Sequence, residues 1–398
     1  MREGWEIKTI GEVCEIYNGG TPSTNIPEYW DGGIQWITPK DMGKSKEMYV
    51  SHCERTITQE GVEHSSAKVL PERSVIVSSR APIGYVAINE VPMATNQGCK
   101  GFVLGKEIYP EFLYYFLLSS TELLNKLGTG ATFKEVAGKK LAGIELPLPS
   151  LPEQQRIVDI LDREFAKIDA LKANAEKSLQ AAKDLFQATT DTLMSNEQWR
   201  ELTIGEIAKI KGGKRVPKGY KLEKEPTAHR YIRVADFTDL GTIRTESVLY
   251  ISDEVYKSIK AYTISSKDVY ISIAGTIGKS GIIPDTLDGA NLTENACKLV
   301  LGPNFYNRFV FFATKTSSFK KQVEALTMQA AQPKLALTRL ATIRVRVPSS
   351  IKEQETIVER LDGIADTIAL LQDNYQKTLT LCDDLKQSLL RKAFIGEL

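Results

Sequence analysis

Trp5-Glu6-Ile7-Lys8-Thr9-Ile10-Gly11-Glu12-Val13 returns as Trp199-Arg200-Glu201-Leu202-Thr203-Ile204-Gly205-Glu206-Ile207. Further matches follow in the same order. Trp36-Ile37 and Asp41 return as Tyr231-Ile232 and Asp236, and Val75-Ile76-Val77-Ser78 with Ile83-Gly84 as Val269-Tyr270-Ile271-Ser272 with Ile277-Gly278. Thr95-Asn96-Gln97-Gly98-Cys99-Lys100 matches Thr293-Glu294-Asn295-Ala296-Cys297-Lys298, and Glu153-Gln154…Ile157-Val158…Leu161-Asp162 matches Glu353-Gln354…Ile357-Val358…Leu361-Asp362. The offset stays between 194 and 200 residues. That period is far longer than the repeat of a solenoid, so the chain is a duplicated domain with a duplicated trailing segment.

The trailing segments read as helices. Val158, Leu161, Phe165, Ile168, Lys172, Ala175, Leu179, Ala182, Phe186, Thr189 and Leu193 fall at alternating steps of three and four, a mostly apolar heptad seam. The second copy gives Val358, Leu361, Ala365, Ile368, Gln372, Tyr375, Leu379, Cys382, Lys386, Leu389 and Ala393. Pro152 and Pro348 stand at or ahead of the starts, and Gly363 is the one internal breaker. From 152 to 193 a helix runs about 63 Å at 1.5 Å per residue. Two helices each lying on its own domain would satisfy the pattern, but a domain of roughly 150 residues rarely offers so long a face. The expected partner of one seam is therefore the other. Lys172 and Gln372 are polar members at equivalent mid-seam positions; they fit a register-fixing role and solvated surface positions equally.

The leading segments alternate short β-rich runs (Ser74–Val77, Tyr85–Ile88, Ile343–Val347) with Gly, Pro and Asn turns. One helix is predicted in each, over Glu111–Ser119 and Arg308–Thr314. The fold class is thus α+β: globular domains at 1–150 and 196–348, each followed by a long helix, at 151–195 and 349–398. Because the copies keep the same chain order, pairing those helices as an antiparallel coiled coil gives pseudo-two-fold symmetry.

Composition narrows the function classes. The chain has 398 residues, 42% hydrophobic and 25% charged, an ordinary globular composition. Its apolar runs fall far short of the roughly 18 residues of a membrane span, and the first residues lack a signal peptide's apolar stretch. The five cysteines (Cys14, Cys53, Cys99, Cys297, Cys382) form no C-x-x-C pair, so a reducing cytoplasm is expected and a disulfide framework or zinc ribbon is not. Net charge is +1 overall, but 196–348 carries 24 basic against 15 acidic side chains while 1–150 is net −3, 151–195 net −2 and 349–398 net −3. One domain is strongly basic, which the average conceals.

The parts of an enzyme are missing. No two prolines are adjacent, which excludes the Asn/Asp-Pro-Pro-aromatic motif of amino-methyltransferases. Gly128-Thr129-Gly130 lacks a third glycine, with Phe133 in its place. Gly278-Lys279-Ser280 has Ile273 at the first glycine position of a phosphate loop, and its counterpart Gly84-Tyr85-Val86 has no lysine. His52, His64 and His229 build no mirrored metal or catalytic set. A duplicated domain without paired catalytic groups is expected to bind.

Loops at matched places combine Gly, hydroxyl, amide and cationic residues suited to DNA phosphates and base edges. The candidates are Thr21, Lys40, Ser79, Arg80, Asn96, Gln97, Thr132 and Lys134 in the first copy, and Lys214, Arg215, Arg233, Thr276, Lys279, Asn295, Gln332 and Lys334 in the second. The helix-pairing candidates are Val158, Leu161, Phe165, Ile168, Leu179, Phe186, Val358, Leu361, Ile368, Tyr375, Leu379 and Leu389.

Three stretches carry a family resemblance: Ser79-Arg80-Ala81-Pro82-Ile83-Gly84; Leu146-Pro147-Leu148-Pro149-Ser150-Leu151-Pro152-Glu153-Gln154-Gln155; and Leu385-Lys386-Gln387-Ser388-Leu389-Leu390-Arg391-Lys392-Ala393-Phe394. With the order above, the whole chain resembles the specificity subunits of type I restriction–modification systems. The resemblance implies two target-recognition domains, each reading half of a split double-stranded DNA site, and a coiled coil that spaces them. It also implies docking of two methyltransferase subunits and of restriction/translocase subunits. S-adenosylmethionine, ATP and Mg are then expected on those partners, and no cofactor, metal or catalytic residue on this chain. The second copy departs from the pattern with Ala274-Gly275-Thr276-Ile277-Gly278, so no cation mirrors Arg80. A single-chain DNA methyltransferase or nuclease with an unrecognised site, and a coiled-coil adaptor without DNA contact, are the competing classes.

Overall fold

A computed structural model describes residues 4–45, 47–80, 82–130, 134–327 and 334–398. They form two compact units. One takes the residues up to Ala175 together with Lys377–Leu398; the other is Glu176–Gln376.

In the first unit, strand Glu6–Thr9 pairs antiparallel with Glu145–Leu148 and so ties together the two ends of the globular region. Thr9 then caps the short helix Ile10–Val13: its N–H donates to Glu12 Oε2 at 2.5 Å and its hydroxyl at 2.8 Å. A five-stranded sheet follows in the order Cys14–Asn18, Cys99–Leu104, Val75–Ser78, Val86–Asn89, Tyr49–Val50, antiparallel but for the last pair. Val75–Ser78 and Val86–Asn89 are buried along their whole length, which is why they read as continuous apolar runs and not as alternating ones. Helix Pro110–Ser119 covers them, with Phe112, Leu113 and Leu117 fully buried. A second sheet, ordered Thr56–Ile57, Trp30–Ile37, Met93–Thr95, Val69–Leu70, completes the unit.

The second unit repeats the plan. Arg200–Thr203 pairs with Arg344–Val347, Thr203 caps Ile204–Ile207 through Glu206, and one sheet runs Ala208–Gly212, Ala296–Leu301, Val269–Ser272, Ser280–Gly281. The other runs Leu249–Ile251, His229–Ile232, Asn291–Leu292. Helix Asn307–Lys315 takes the place of Pro110–Ser119, and a further helix, Ser317–Thr327, follows it.

The trailing helices are Leu151–Leu193 and Ile351–Ile395. Each is locked to its own domain by a fully buried glutamine. Gln154 accepts from Tyr109 N–H at 2.8 Å and donates to the carbonyls of Glu107 and Pro149 at 2.9 Å. Gln354 does the same with Tyr306, Asn304 and Pro348.

Within the first unit, the front half of one helix packs on the rear of the other. Leu161 and Phe165 share a core with Leu389, Leu390, Ala393 and Phe394. Lys172 pairs with Asp383 at 2.7 Å and Lys386 with Asp169 at 2.5 Å. As one residue number rises the other falls, so the pairing is antiparallel. Lys172 is thereby an inter-helix ion-pair donor. Val158, Leu161, Ile168, Val358, Leu361 and Ile368 are buried; Phe165, Leu179, Phe186, Tyr375, Leu379 and Leu389 are half-buried. Near Leu389 the seam broadens: Leu390 and Phe394 are the buried members, because there the helix also meets Phe112 and Phe116, with ring centroids 5.2 and 5.3 Å apart.

Candidate nucleic-acid interface

In each unit a chain of backbone hydrogen bonds gathers the loops that carry the candidate residues. In the first, Gly20 N–H donates to Thr95 O (2.9 Å), Ser79 N–H to Gly98 O (2.8 Å) and Val136 N–H to Ser79 O (3.0 Å). In the second, Lys214 N–H donates to Leu292 O (2.8 Å), Ile273 N–H to Asn295 O (2.8 Å) and Leu335 N–H to Ile273 O (2.9 Å). Glycine is required where the first loop crosses the next: a Cβ on Gly19 would lie 1.8 Å from Asn96 O, and one on Gly213 2.1 Å from Thr293 O. An aromatic hydrogen bond braces the same loop in each copy, Trp36 Nε1 to Gly20 O at 2.9 Å and Tyr231 hydroxyl to Lys214 O at 2.8 Å.

The first ring of loops brings Lys40, Arg80, Asn96 and Gln97 together. With Thr38, Pro39 and Gly98 they line an open cleft of about 440 Å³. Thr21, exposed, donates its hydroxyl to Gln97 Oε1, and Asn96 Oδ1 accepts from Gly98 N–H at 3.0 Å. Arg80 and Glu135 form an isolated antiparallel bridge, so the exposed Lys134 stands next to the cleft's rim. Glu135 in turn takes the buried Lys100 at 3.1 Å. Ser79 is a correction: it is buried, and its hydroxyl donates to Gly98 O at 3.2 Å. Its hydroxyl is thus spent on the loop itself. Thr132 and Gln332 lie outside the described residues.

In the second ring the bridge partner of Ala274 is Lys334, exposed where Glu135 stands in the first. Lys214 is exposed, with Nζ 5.7 Å from the Tyr262 ring centre. Arg215 is exposed too but pairs with Glu294 at 2.5 Å. Burial raises the Glu294 pKa, and the hydrogen bonds from Arg215 and Thr293 outweigh it and bring the carboxyl below its usual range. Asn295 holds the ring through its carbonyl, which accepts from Ile273 and Ala274. Thr276 and Lys279 line a neighbouring cleft. Arg233 is half-buried: its guanidinium lies on the buried Asp236 (2.7 Å) and donates to Ser247 O (2.8 Å), closing a turn. The first copy closes the equivalent turn with Thr38 and Asp41.

Sequence reasoning missed Arg55, whose guanidinium stacks 3.5 Å over Trp30, while Trp30 Nε1 donates to Ser23 O on the first loop. A lone exposed arginine between Glu54 and Thr56 gives no signal of that stacking.

A family model described as the type I restriction modification DNA specificity domain matches residues 2–181 and again 196–380. The chain belongs to this specificity-subunit family. The type I restriction enzyme MjaIX specificity subunit of Methanocaldococcus jannaschii is 27% identical over 415 residues, covering 99% of this chain and 93% of that protein. The EcoR124I/EcoR124II specificity subunit of Escherichia coli is 34% identical over 197 residues, 48% of each chain. In fold, a chain from a structure of type I R-M system assembly and conformational transition superposes with TM-score 0.81 at 19% identity, covering 100% of this chain and 99% of that one. The HsdS subunit of Thermoanaerobacter tengcongensis gives 0.57, also at 19%, covering 100% and 98%. A specificity subunit is the DNA-recognition component of its system and not a catalytic one, so the competing reading of a single-chain methyltransferase or nuclease falls away. Among the described residues, no helix is long and apolar enough to cross a membrane.

Proposed function

We propose that this specificity subunit reads a split double-stranded DNA target, one globular domain per half-site, and scaffolds two methyltransferase subunits and the restriction/translocase subunits in the cytoplasm. The observation that carries this reading is the doubled ring of loops. Its framework is the same in both copies, through the Trp36 and Tyr231 braces and the Ser79 and Ile273 links. The side chains at its matched bridge positions differ, the half-buried Arg80 against Ala274 and Glu135 against the exposed Lys334. One framework holding two sets of reading groups is what two unlike half-sites need.

The helices support the scaffolding role. Leu171, Leu381 and Leu385 stand exposed on the first unit's helix pair, and Leu185, Leu370 and Leu371 on the second's. Leu171 repeats as Leu371 and Leu185 as Leu385, so each unit exposes matched leucines, fit for one copy each of a repeated partner. That partner is the methyltransferase subunit. S-adenosylmethionine, ATP and Mg belong to the partners in this scheme.

The test is to map methylated bases in a strain carrying this chain with its methyltransferase, and to titrate salt in a DNA-binding assay. A bipartite methylated motif and binding that weakens steeply with salt are expected. A continuous motif, or salt-insensitive binding, overturns the reading.

A further inference from the structure

Lys315 ends helix Asn307–Lys315 and is used by none of the loops above. Its Nζ donates to Ser280 O at 3.0 Å and lies 5.0 Å from the Phe311 ring centre. Among the described residues that carbonyl is the one hydrogen-bond acceptor it meets, and an ammonium has three donors to place. Burial pulls its pKa down to about 8; the charges of Lys320 and Lys279 act in the same direction, and Asp239 opposes them.

Lys279, Lys315 and Lys320 line one cleft of about 590 Å³, together with Gln187 and Thr276. Two carboxylates also border it. Asp239, 98% exposed, pairs with Lys279 at 2.8 Å, and Glu324 stands on the helix that carries Lys320. Lys320 donates to Gln187 Oε1. Three amines around one opening, one of them largely stripped of water, gain free energy from an anion that supplies several oxygens. Phosphate suits compact ammonium charges of this kind.

Among the described residues, the first copy does not repeat these three cations. Tyr109 and Tyr306 make the same bond to Gln154 and Gln354, which fixes the alignment of the helices that follow. On it Leu118 and Leu123 stand where the second copy has Lys315 and Lys320, and Tyr85 stands in place of Lys279.

We propose that the cleft of Lys279, Lys315 and Lys320 is a phosphate pocket, and that it takes a backbone phosphodiester of DNA bound to the loops of the second domain. The inference rests on the DNA-reading role proposed above. Thr276 and Lys279 belong both to those loops and to the cleft, which puts the pocket at the border of the reading surface.

The experiment uses the chain assembled with its methyltransferase subunits. Lys315→Met and, separately, the more exposed Lys320→Met are compared with wild type by DNA affinity over a salt series, and by 31P NMR of added inorganic pyrophosphate. Each variant is expected to lower the slope of log K against log salt by about 0.9, the value of one phosphate contact. An unchanged slope in both variants, with pyrophosphate binding lost, overturns the phosphodiester assignment and leaves a pocket for a free phosphate compound. An unchanged slope with pyrophosphate unaffected overturns the pocket altogether, while the retained salt-dependent binding leaves the DNA-reading role standing. Salt-insensitive binding by the wild type overturns that role itself.

Discussion

Gln154 and Gln354 make the same three hydrogen bonds, each to its own domain, from matched places two hundred residues apart. Both are fully buried. Each therefore satisfies a tyrosine N–H and two carbonyls where the helix meets its domain. Gln154→Ala or Gln354→Ala leaves those groups unpaired, at about 1–3 kcal/mol. Thermal unfolding of either variant should show a midpoint several degrees lower, and the two losses should be alike. A loss from one variant alone would mean that the two helix anchors are not equivalent.

The crossed pairs Lys172–Asp383 and Lys386–Asp169 are partly exposed. Lys172→Glu should cost no more than about 1 kcal/mol, and adding Asp383→Lys should restore most of it. A double-mutant cycle in urea measures the coupling. Zero coupling would mean that the apolar seam alone holds the register here.

Glu12 and Glu206 are held below the usual carboxylate range first by the backbone N–H of Thr9 and Thr203 and then by their hydroxyls. A lowered folded-state pKa adds stability that is present above the unfolded value, near 4.5, and is lost as pH falls through the folded one. Glu12→Gln with Glu206→Gln should therefore flatten the fall of the unfolding midpoint below about pH 4.5. Parallel wild-type and variant curves would count against these caps as acid-sensitive elements.

Replacing residues 196–348 by the matching region of another family member should change one half of the methylated motif and leave the other. Changes in both halves would sink the reading of one domain per half-site.

Lys214→Ala should lower the salt slope by about 0.9. Arg215→Ala should lower it by less, because Glu294 already neutralises that guanidinium. Equal effects would mean that the Arg215–Glu294 pair opens on DNA.

The duplication and both seams were legible in the sequence because they are periodic, and periodicity survives without knowledge of the fold. The first helix, measured there from 152 to 193, runs Leu151–Leu193. What was hidden depends on partners distant in sequence. Helix Ser317–Thr327 is capped by Asp191 of the first long helix, which receives the Ser317 N–H at 2.7 Å. Lys100 and Lys298 occupy one repeat position, yet one pairs with Glu135 and the other with Asp268. Ser79 was a candidate because its residue type suits DNA; its burial, like the Asp236 fork on Arg233, is a fact of packing that residue type does not carry.

The first unit borrows Lys377–Leu398, while the second is one unbroken stretch, Glu176–Gln376. A ribosome therefore releases every residue of the second unit before the first can close its core over Ala393 and Phe394. Synthesis order and completion order are inverted. During translation the first domain waits with Phe112 and Phe116 lacking the ring of Phe394, an interval in which exposed apolar surface invites chaperones or aggregation. A chain terminated after Gln376 and released should thus carry every residue of the second unit while the first lacks the part of its core that Ala393 and Phe394 supply.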